Sequence, residues 1–189
     1  NGAGKSTLMN LVGGVLSRDG GTIEVFGEPY DPRTPADAAA AGIAFIHQEL
    51  NLFGNLSVAE NLAISSLPRH RIPVLDIGRM RADAAQHLRA VGLDVAPSTP
   101  VEALSAGERQ LVEIAKAVAS DARIIILDEP TTSLTARESA RLFELMHRLK
   151  ADGRTLIFVS HALTDVLEQC DEVVVLRDGA VVTAGPVGE

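Results

Sequence analysis

Cysteine and aromatic residues are scarce in this sequence, and tryptophan is missing from it. The one cysteine excludes an internal disulfide and fits a reducing compartment. Aromatic residues make up 3% of the 189 residues, so the core must be built from Ala, Val, Ile and Leu. Hydrophobic residues make up 46% of the chain, which is enough for one core, and the length predicts one domain.

Positive charge and long apolar runs are scarce as well. The chain has 17 Lys and Arg against 25 Asp and Glu, and its net charge is −8. Proteins that bind nucleic acid carry a basic stripe, and none is visible here, which argues against nucleic acid as a partner. The longest apolar runs, such as residues 124–127 and 173–176, are far too short to span a bilayer.

Strand-like and helix-like segments alternate along the chain. Strands are predicted at residues 21–27, 42–46, 123–127 and 155–159, and helices at residues 7–12, 79–91 and 111–118, with a long helix between the last two strands. Residues 173–176 and 180–183 flank a turn and predict a hairpin. This alternation predicts an α/β fold with a parallel sheet and an antiparallel part. We expect one domain, residues 1–189, with a core at 1–48 and 121–189 and an inserted helical subdomain at about 49–120.

The run NGAGKST at residues 1–7 contains most of a phosphate-binding loop, whose pattern is G-x-x-x-x-G-K-[ST]. Glycine N–H groups and the start of the next helix would converge on phosphate oxygens. Lys5 would reach the β- and γ-phosphates, and the hydroxyl of Ser6 would hold Mg²⁺. The alternative is a glycine-rich turn before a helix. The loop predicts that the phosphates of a nucleotide are bound by Asn1, Gly2, Gly4, Lys5, Ser6 and Thr7.

Two acids end the apolar run IIILDEP at residues 124–130. Ligands bind at the carboxyl ends of parallel strands, so a strand here would deliver Asp128 and Glu129 to a binding edge. Asp128 can hold the hydration shell of a metal ion, as in a Walker B arrangement. Glu129 can act as the general base that activates water. The alternative is that both are solvated acids at a strand end.

The run LSAGERQ at residues 104–110 has two compatible interpretations. Ser105 and Glu108 have the spacing of a capping box before an apolar helix. The same helix start would also present the Ser105 hydroxyl and the Gly107 N–H to a phosphate.

The order of these motifs resembles the nucleotide-binding domain of ABC transporters over nearly the whole chain. NGAGKST is followed by a strand ending in Gln48, then LSAGERQ, IIILDEP, and His161 after a strand. The resemblance implies a P-loop NTPase core. It also implies that LSAGERQ contacts the γ-phosphate of ATP held by the opposite domain of a head-to-tail dimer. Gln48 would sense Mg²⁺ and meet the membrane subunit, and His161 would contact the γ-phosphate.

The runs HQELNLFGNLSVAENL, VEIAKAV and DEPTTSLTARE resemble the first of two fused cassettes in bacterial importers of ribose, galactose and related sugars. This resemblance implies three partners: a second cassette downstream, transmembrane permease subunits and, indirectly, a periplasmic or extracellular solute-binding protein. It places the protein peripherally on the cytoplasmic face of the cell membrane. We also expect a fragment that lacks the upstream strand, the first loop glycine and the adenine-stacking aromatic residue.

The chain departs from the family pattern at three positions. Ala106 and Glu108 replace a Gly and a Gln of the signature LSGGQ, and Thr135 replaces the usual Asp after Walker B. Thr135 and the acid three residues later instead have the spacing of a helix cap.

Two other functions use the same ATP site. A soluble ABC ATPase of DNA repair or translation would be favoured by a long insertion, a coiled coil or a basic arm, and none is visible. A regulatory or inert cassette is disfavoured by the intact Glu129 and His161.

Overall fold

The computed structural model describes residues 3–64 and 76–188. In chain order its elements are α1 (Lys5–Val12), β1 (Glu24–Val25), β2 (Glu28–Pro29), α2 (Pro35–Ala40), β3 (Ile43–Ile46), α3 (Val58–Ala63), α4 (Ile77–Val91), α5 (Ala106–Ala119), β4 (Ile124–Asp128), α6 (Ala136–Ala151), β5 (Thr155–Val159), α7 (Leu163–Gln169), β6 (Glu172–Arg177) and β7 (Ala180–Pro186). A short 3₁₀ turn at Val101–Ala103 precedes α5. The alternation of strands and helices is confirmed.

A parallel sheet positions the residues that the motifs single out. β4 lies in the middle, with β3 on one side and β5 on the other. Ile46 of β3 pairs with Leu127 of β4, and Leu127 pairs with Phe158 of β5. The three strands therefore end at almost the same level, and the residues that follow them share one edge of the sheet.

Helices α5 and α6 pack around this sheet and hold its core. Each presents an apolar face at helical spacing, and the buried members are Leu111, Val112, Ile114, Ala115 and Ala117 on α5 and Leu142, Leu145, Met146 and Leu149 on α6. Burying a leucine or isoleucine side chain contributes roughly 1.5–3 kcal/mol to stability. This burial fixes the starts of both helices relative to the sheet.

Helices α3 and α4 contact each other and α5. Ser57 and Glu60 form a capping box at the start of α3. The buried Asn61 side chain accepts a hydrogen bond from the Phe53 N–H and donates to the Phe53 carbonyl, which fixes the loop before α3. These helices agree with the helical segment expected at about residues 49–120. Residues 65–75 of that segment lie outside the described residues.

Of the strand expected at residues 21–27, only Glu24–Val25 forms, as β1. Val25 of β1 pairs with Glu28 of β2 across a two-residue turn. Both turn residues have positive φ, 56° at Phe26 and 80° at Gly27. Positive φ at both central residues is the geometry of a type I′ turn, which reverses the chain where an alternating pattern alone predicts extension.

The predicted hairpin at the end of the chain is confirmed as β6 and β7. Its turn contains Asp178 and Gly179, with φ of 50° and 79°. The Gly179 N–H donates a hydrogen bond of 3.2 Å to the carbonyl of Ala3, so the hairpin contacts the loop before α1. In the ranges 3–64 and 76–188, no helix has the length and apolar composition that a membrane crossing requires.

Candidate functional site

The loop before α1 has the geometry of an anion site. Gly4 begins the helix with φ of 88°, and a Cβ there would lie 3.2 Å from the Cα of Gly179. Among the described residues, no side chain caps the start of α1, and its first turn carries no acid. Its N–H groups and the positive end of the helix dipole are therefore available to phosphate oxygens. Asn1 and Gly2 of the predicted loop lie outside the described residues.

Glu129 lies directly after β4, at the edge where the parallel strands end. Its N–H donates a 2.8 Å hydrogen bond to the carbonyl of Val159 in β5, which anchors the backbone as the chain turns. The φ of Glu129 is 48°, a conformation that non-glycine residues adopt rarely and that is frequent at functional sites. Asp128, the residue before it, is half-buried at the strand end.

Two basic side chains converge on the Glu129 carboxylate. Lys5 Nζ lies 3.8 Å from Oε1, and His161 Nδ1 lies 3.2 Å from Oε2. Lys5 comes from the first turn of α1 and His161 from the segment after β5, so three separate parts of the chain meet here. The side chains of Lys5 and His161 are 37% and 68% exposed, which leaves both accessible to a ligand.

Oxygen-bearing side chains lie around the same edge. Ser6 and Thr7 are exposed on the first turn of α1, and Gln48 is exposed two residues after β3 ends. Magnesium takes oxygen ligands and keeps several waters and substrate phosphates, so a hydroxyl, an amide oxygen and the Asp128 carboxylate suit it. Within the described residues, no group of three or more His, Cys, Asp or Glu side chains forms a metal site. The donor set therefore fits a magnesium ion held largely by a nucleotide.

Ser105 and Gly107 lie at the start of α5 and contact a different carboxylate. The predicted capping box is confirmed, because Ser105 accepts from the Glu108 N–H and the Glu108 carboxylate accepts from the Ser105 N–H. The Ser105 hydroxyl also donates to Glu138 Oε1 at 3.1 Å, and the Gly107 N–H donates to the same oxygen at 3.2 Å. Both residues are thus tied to α6, and their described contacts do not reach Lys5 or Glu129.

Glu138 is a residue whose contact with the start of α5 the sequence did not reveal. The predicted cap at Thr135 is confirmed as a full capping box with Glu138 at the start of α6. Bonds from the Thr135 N–H, the Thr135 hydroxyl and then the Ser105 hydroxyl lower the pKa of Glu138 from 4.5 to about 2. The spacing T-x-x-E indicated the cap, but nothing in the sequence linked Glu138 to the distant Ser105.

A further contact connects the segments around Glu129 and His161. The Thr131 hydroxyl, two residues after Glu129, donates to Asp165 Oδ2 at 3.1 Å. Asp165 lies in the first turn of α7, which follows His161. The two segments therefore hold each other in place, and no sequence signal indicated this bond between residues 34 positions apart.

Comparison with known proteins agrees with this geometry. The sequence profile described as ABC transporter matches residues 1–132. A ribose import ATP-binding protein of Rubrobacter xylanophilus (strain DSM 9941) is 46% identical over 187 residues, covering 98% of this chain and 36% of that protein. An arabinose import ATP-binding protein of Rhizobium meliloti (strain 1021) is 46% identical over 186 residues, covering 98% of this chain and 36% of that protein. The chain thus spans about a third of the length of these relatives.

A solved structure shares the fold. It is the ADP conformation of an ATP-binding cassette of an ABC transporter, with a TM-score of 0.85 and 27% identity. The match covers 98% of this chain and 77% of that one. The predicted P-loop NTPase core is therefore confirmed, and the chain belongs to the ABC transporter family.

Proposed function

We propose that this chain is the ATP-binding and ATP-hydrolysing cassette of an importer for a simple sugar. The contact of Glu129 with both Lys5 and His161, at the open edge of a parallel sheet, carries this proposal. It joins a phosphate-binding lysine, a carboxylate that can accept a proton and a histidine within one small region. The similarity to proteins named for ribose and arabinose import supports sugar as the cargo.

The nucleotide would be held by the loop and the first turn of α1. The residues assigned to it are Asn1, Gly2, Gly4, Lys5, Ser6 and Thr7, and those assigned to Mg²⁺ are Ser6, Gln48 and Asp128. The bound Mg²⁺ neutralises negative charge on the phosphates. Only Gly can take the φ of 88° at Gly4 without strain, and this conformation lets backbone N–H groups face the ligand.

Four side chains carry the catalytic roles in this proposal. Glu129 accepts a proton from the water that attacks the γ-phosphate, and its backbone bond to Val159 holds it at the strand edge. Lys5 neutralises charge on the β- and γ-phosphates, while His161 contacts the γ-phosphate from the other side of Glu129. Gln48, which is exposed after β3, would hold the metal ion and would also contact the membrane subunit.

We infer the assembly from the resemblance to the family. A second cassette, fused downstream, would pair head to tail with this one, and Ser105 and Gly107 would contact the γ-phosphate that it binds. The catalytic core would consist of residues 1–48 and 121–189, and the helical subdomain of about 49–120 would meet transmembrane permease subunits. A periplasmic or extracellular solute-binding protein would deliver the sugar, with the cassettes peripheral on the cytoplasmic face of the membrane.

Sugar uptake tests this proposal. Cells that depend on the intact protein containing this chain should take up labelled ribose, galactose or arabinose, and Glu129→Gln should abolish that uptake. Glu144→Gln is the matched control, because Glu144 is an exposed carboxylate on α6 with no assigned role. If the wild-type protein supports uptake of none of these sugars, the assigned cargo is wrong. If Glu129→Gln supports normal uptake, the assigned base is wrong.

A further inference from the structure

One carboxylate joins the starts of two helices. Glu138 Oε2 accepts hydrogen bonds from the Thr135 N–H at 2.9 Å and the Thr135 hydroxyl at 2.8 Å, which closes the cap of α6. Glu138 Oε1 accepts from the Ser105 hydroxyl at 3.1 Å and the Gly107 N–H at 3.2 Å, both at the start of α5. Each carboxylate oxygen of Glu138 therefore accepts hydrogen bonds from donors at the start of a different helix.

A capping box does not require this second pair of bonds. Glu60 occupies the same position in the box at the start of α3, where its carboxylate accepts from the N–H and hydroxyl of Ser57. In the described part of the chain, the hydrogen bonds of Glu60 all lie within its own box. The bonds from Ser105 and Gly107 to Glu138 are thus an addition to the cap and come from the packing of α5 against α6.

The Ser105 and Gly107 donors already bind an anion. The lowered pKa of Glu138, about 2, keeps its carboxylate ionised at neutral pH. A hydroxyl and an N–H each supply one proton, so neither can make a second full hydrogen bond to a phosphate oxygen at the same time. The Glu138 carboxylate also packs tightly against the buried Gly107, because a Cβ on Gly107 would lie 2.6 Å from Glu138 Oε1.

We propose that Glu138 is an intramolecular competitor of the partner-bound γ-phosphate for the Ser105 and Gly107 donors. This inference rests on the proposed function, which assigns those donors to nucleotide held by the opposite cassette. Before the cassettes pair, the Glu138 carboxylate accepts the hydrogen bonds of Ser105 and Gly107. Pairing of the cassettes must first displace this carboxylate from the two donors. The fraction of molecules with free donors then limits the apparent affinity for ATP, as for any site that is competent only part of the time.

Two substitutions remove the competition and keep the helix cap. Glu138→Gln removes the charge, and glutamine still forms a capping box. Glu138→Asp keeps the charge but shortens the side chain, so it cannot reach Ser105 while capping α6. Aspartate fits this cap position, because Thr34 and Asp37 form a complete capping box at the start of α2. The matched controls are Glu60→Gln and Glu60→Asp.

The test is steady-state ATP turnover, with Mg²⁺, by the intact protein containing this chain. Both Glu138 variants should lower the KM for ATP roughly three- to tenfold, as the competent fraction rises, while kcat is unchanged. Both Glu60 variants should match the wild type. An unchanged or raised KM, or a fall in kcat, would overturn the inference, because Glu138 would then only cap α6 or position the donors.

A second measurement separates this inference from the proposed function. Hydrogen exchange at the Gly107 amide, without nucleotide, should be slow in the wild-type protein and faster in Glu138→Asp. Equal exchange in the two proteins means that the carboxylate does not hold this donor, and the inference is then wrong. If the wild-type protein turns over no ATP, that result contradicts the proposed function, and amide exchange still decides the role of Glu138.

Discussion

Glu129 and Glu138 use the same side chain in two opposite ways. The carboxylate of Glu129 lies between Lys5 and His161, whose side chains are 37% and 68% exposed. The carboxylate of Glu138 is held by N–H and hydroxyl donors at the fixed starts of two helices. The Glu129 carboxylate is thus partly exposed beside two basic side chains, whereas the Glu138 carboxylate already accepts hydrogen bonds from Thr135, Ser105 and Gly107.

The two regions also differ in how the backbone builds them. Glu129 has a φ of 48° at a strand end, a conformation that the neighbouring strand fixes through the Val159 carbonyl. Glu138 is an ordinary helical residue in a capping box. Of these two residues, Glu129 therefore has the strained backbone, while the start of α5 is stabilised by a capping box.

The largest expected effect comes from the core that both regions share. Leu142 of α6 is 1% exposed, and Leu142→Ala should lower the free energy of unfolding by about 2–5 kcal/mol, because it leaves a cavity. Leu163→Ala is the matched control, since Leu163 is 64% exposed. Chemical denaturation of both variants measures the difference. Equal stability of the two would show that α6 does not support either region as described.

A substitution at Gly107 should disturb the contact between the starts of α5 and α6. A Cβ there would lie 2.6 Å from Glu138 Oε1, so Gly107→Ala should destabilise the protein by about 1–3 kcal/mol through overpacking. In a Glu138→Ala background the clash is gone, and the same substitution should cost almost nothing. A double-mutant cycle in denaturant measures this coupling. Additive effects would contradict the observed packing.

A substitution at Gly4 should disturb only the predicted phosphate-binding loop before α1. With φ of 88° at this position, Gly4→Ala should cost roughly 1–2 kcal/mol. It should also weaken ATP binding roughly tenfold, because about 1.4 kcal/mol of conformational cost in the phosphate-binding loop corresponds to a tenfold loss of affinity. Gly153→Ala is the matched control, since Gly153 has φ of 83° and an added Cβ would meet nothing within 4 Å. Titration with ATP should show weaker binding for the Gly4 variant alone.

The smallest expected effect is on stability at acid pH. The folded pKa of Glu138, about 2, lies below its ordinary value of 4.5, so its bonds stabilise the protein above pH 4.5. That stability is lost as the pH falls from 4.5 toward 2. The difference in unfolding free energy between wild type and Glu138→Gln should therefore shrink over this range. Parallel stability curves for the two proteins would contradict the lowered pKa.

Most of the fold could be predicted because local patterns and tertiary packing agree. The buried run at β4 and the caps at Ser105 and Thr135 gave strong local signals, and their elements formed as predicted. The strand predicted at residues 21–27 was too long, because positive φ at Phe26 and Gly27 is a backbone property that side-chain alternation does not reveal.

The candidate site could be predicted in its residues but not in its contacts. The motifs named Lys5, Glu129 and His161, and the parallel strands β4 and β5, which end together, explain why Glu129 and His161 lie close to each other. The bonds from Ser105 and Gly107 to Glu138 depend on how α5 and α6 pack, and that packing joins residues 31 to 33 positions apart. The sequence carries no periodic or spacing signal for such a contact.

The most direct measurement is ATP binding and turnover by Glu129→Gln in the intact protein. The account predicts that this variant binds ATP as the wild type does, because the phosphate loop is unchanged. Its kcat should fall about 10²–10⁴-fold, since it lacks a base to accept the proton from water. If Glu129→Gln binds ATP and turns it over at the wild-type rate, Glu129 is not the base, and the assignment of the catalytic edge is wrong.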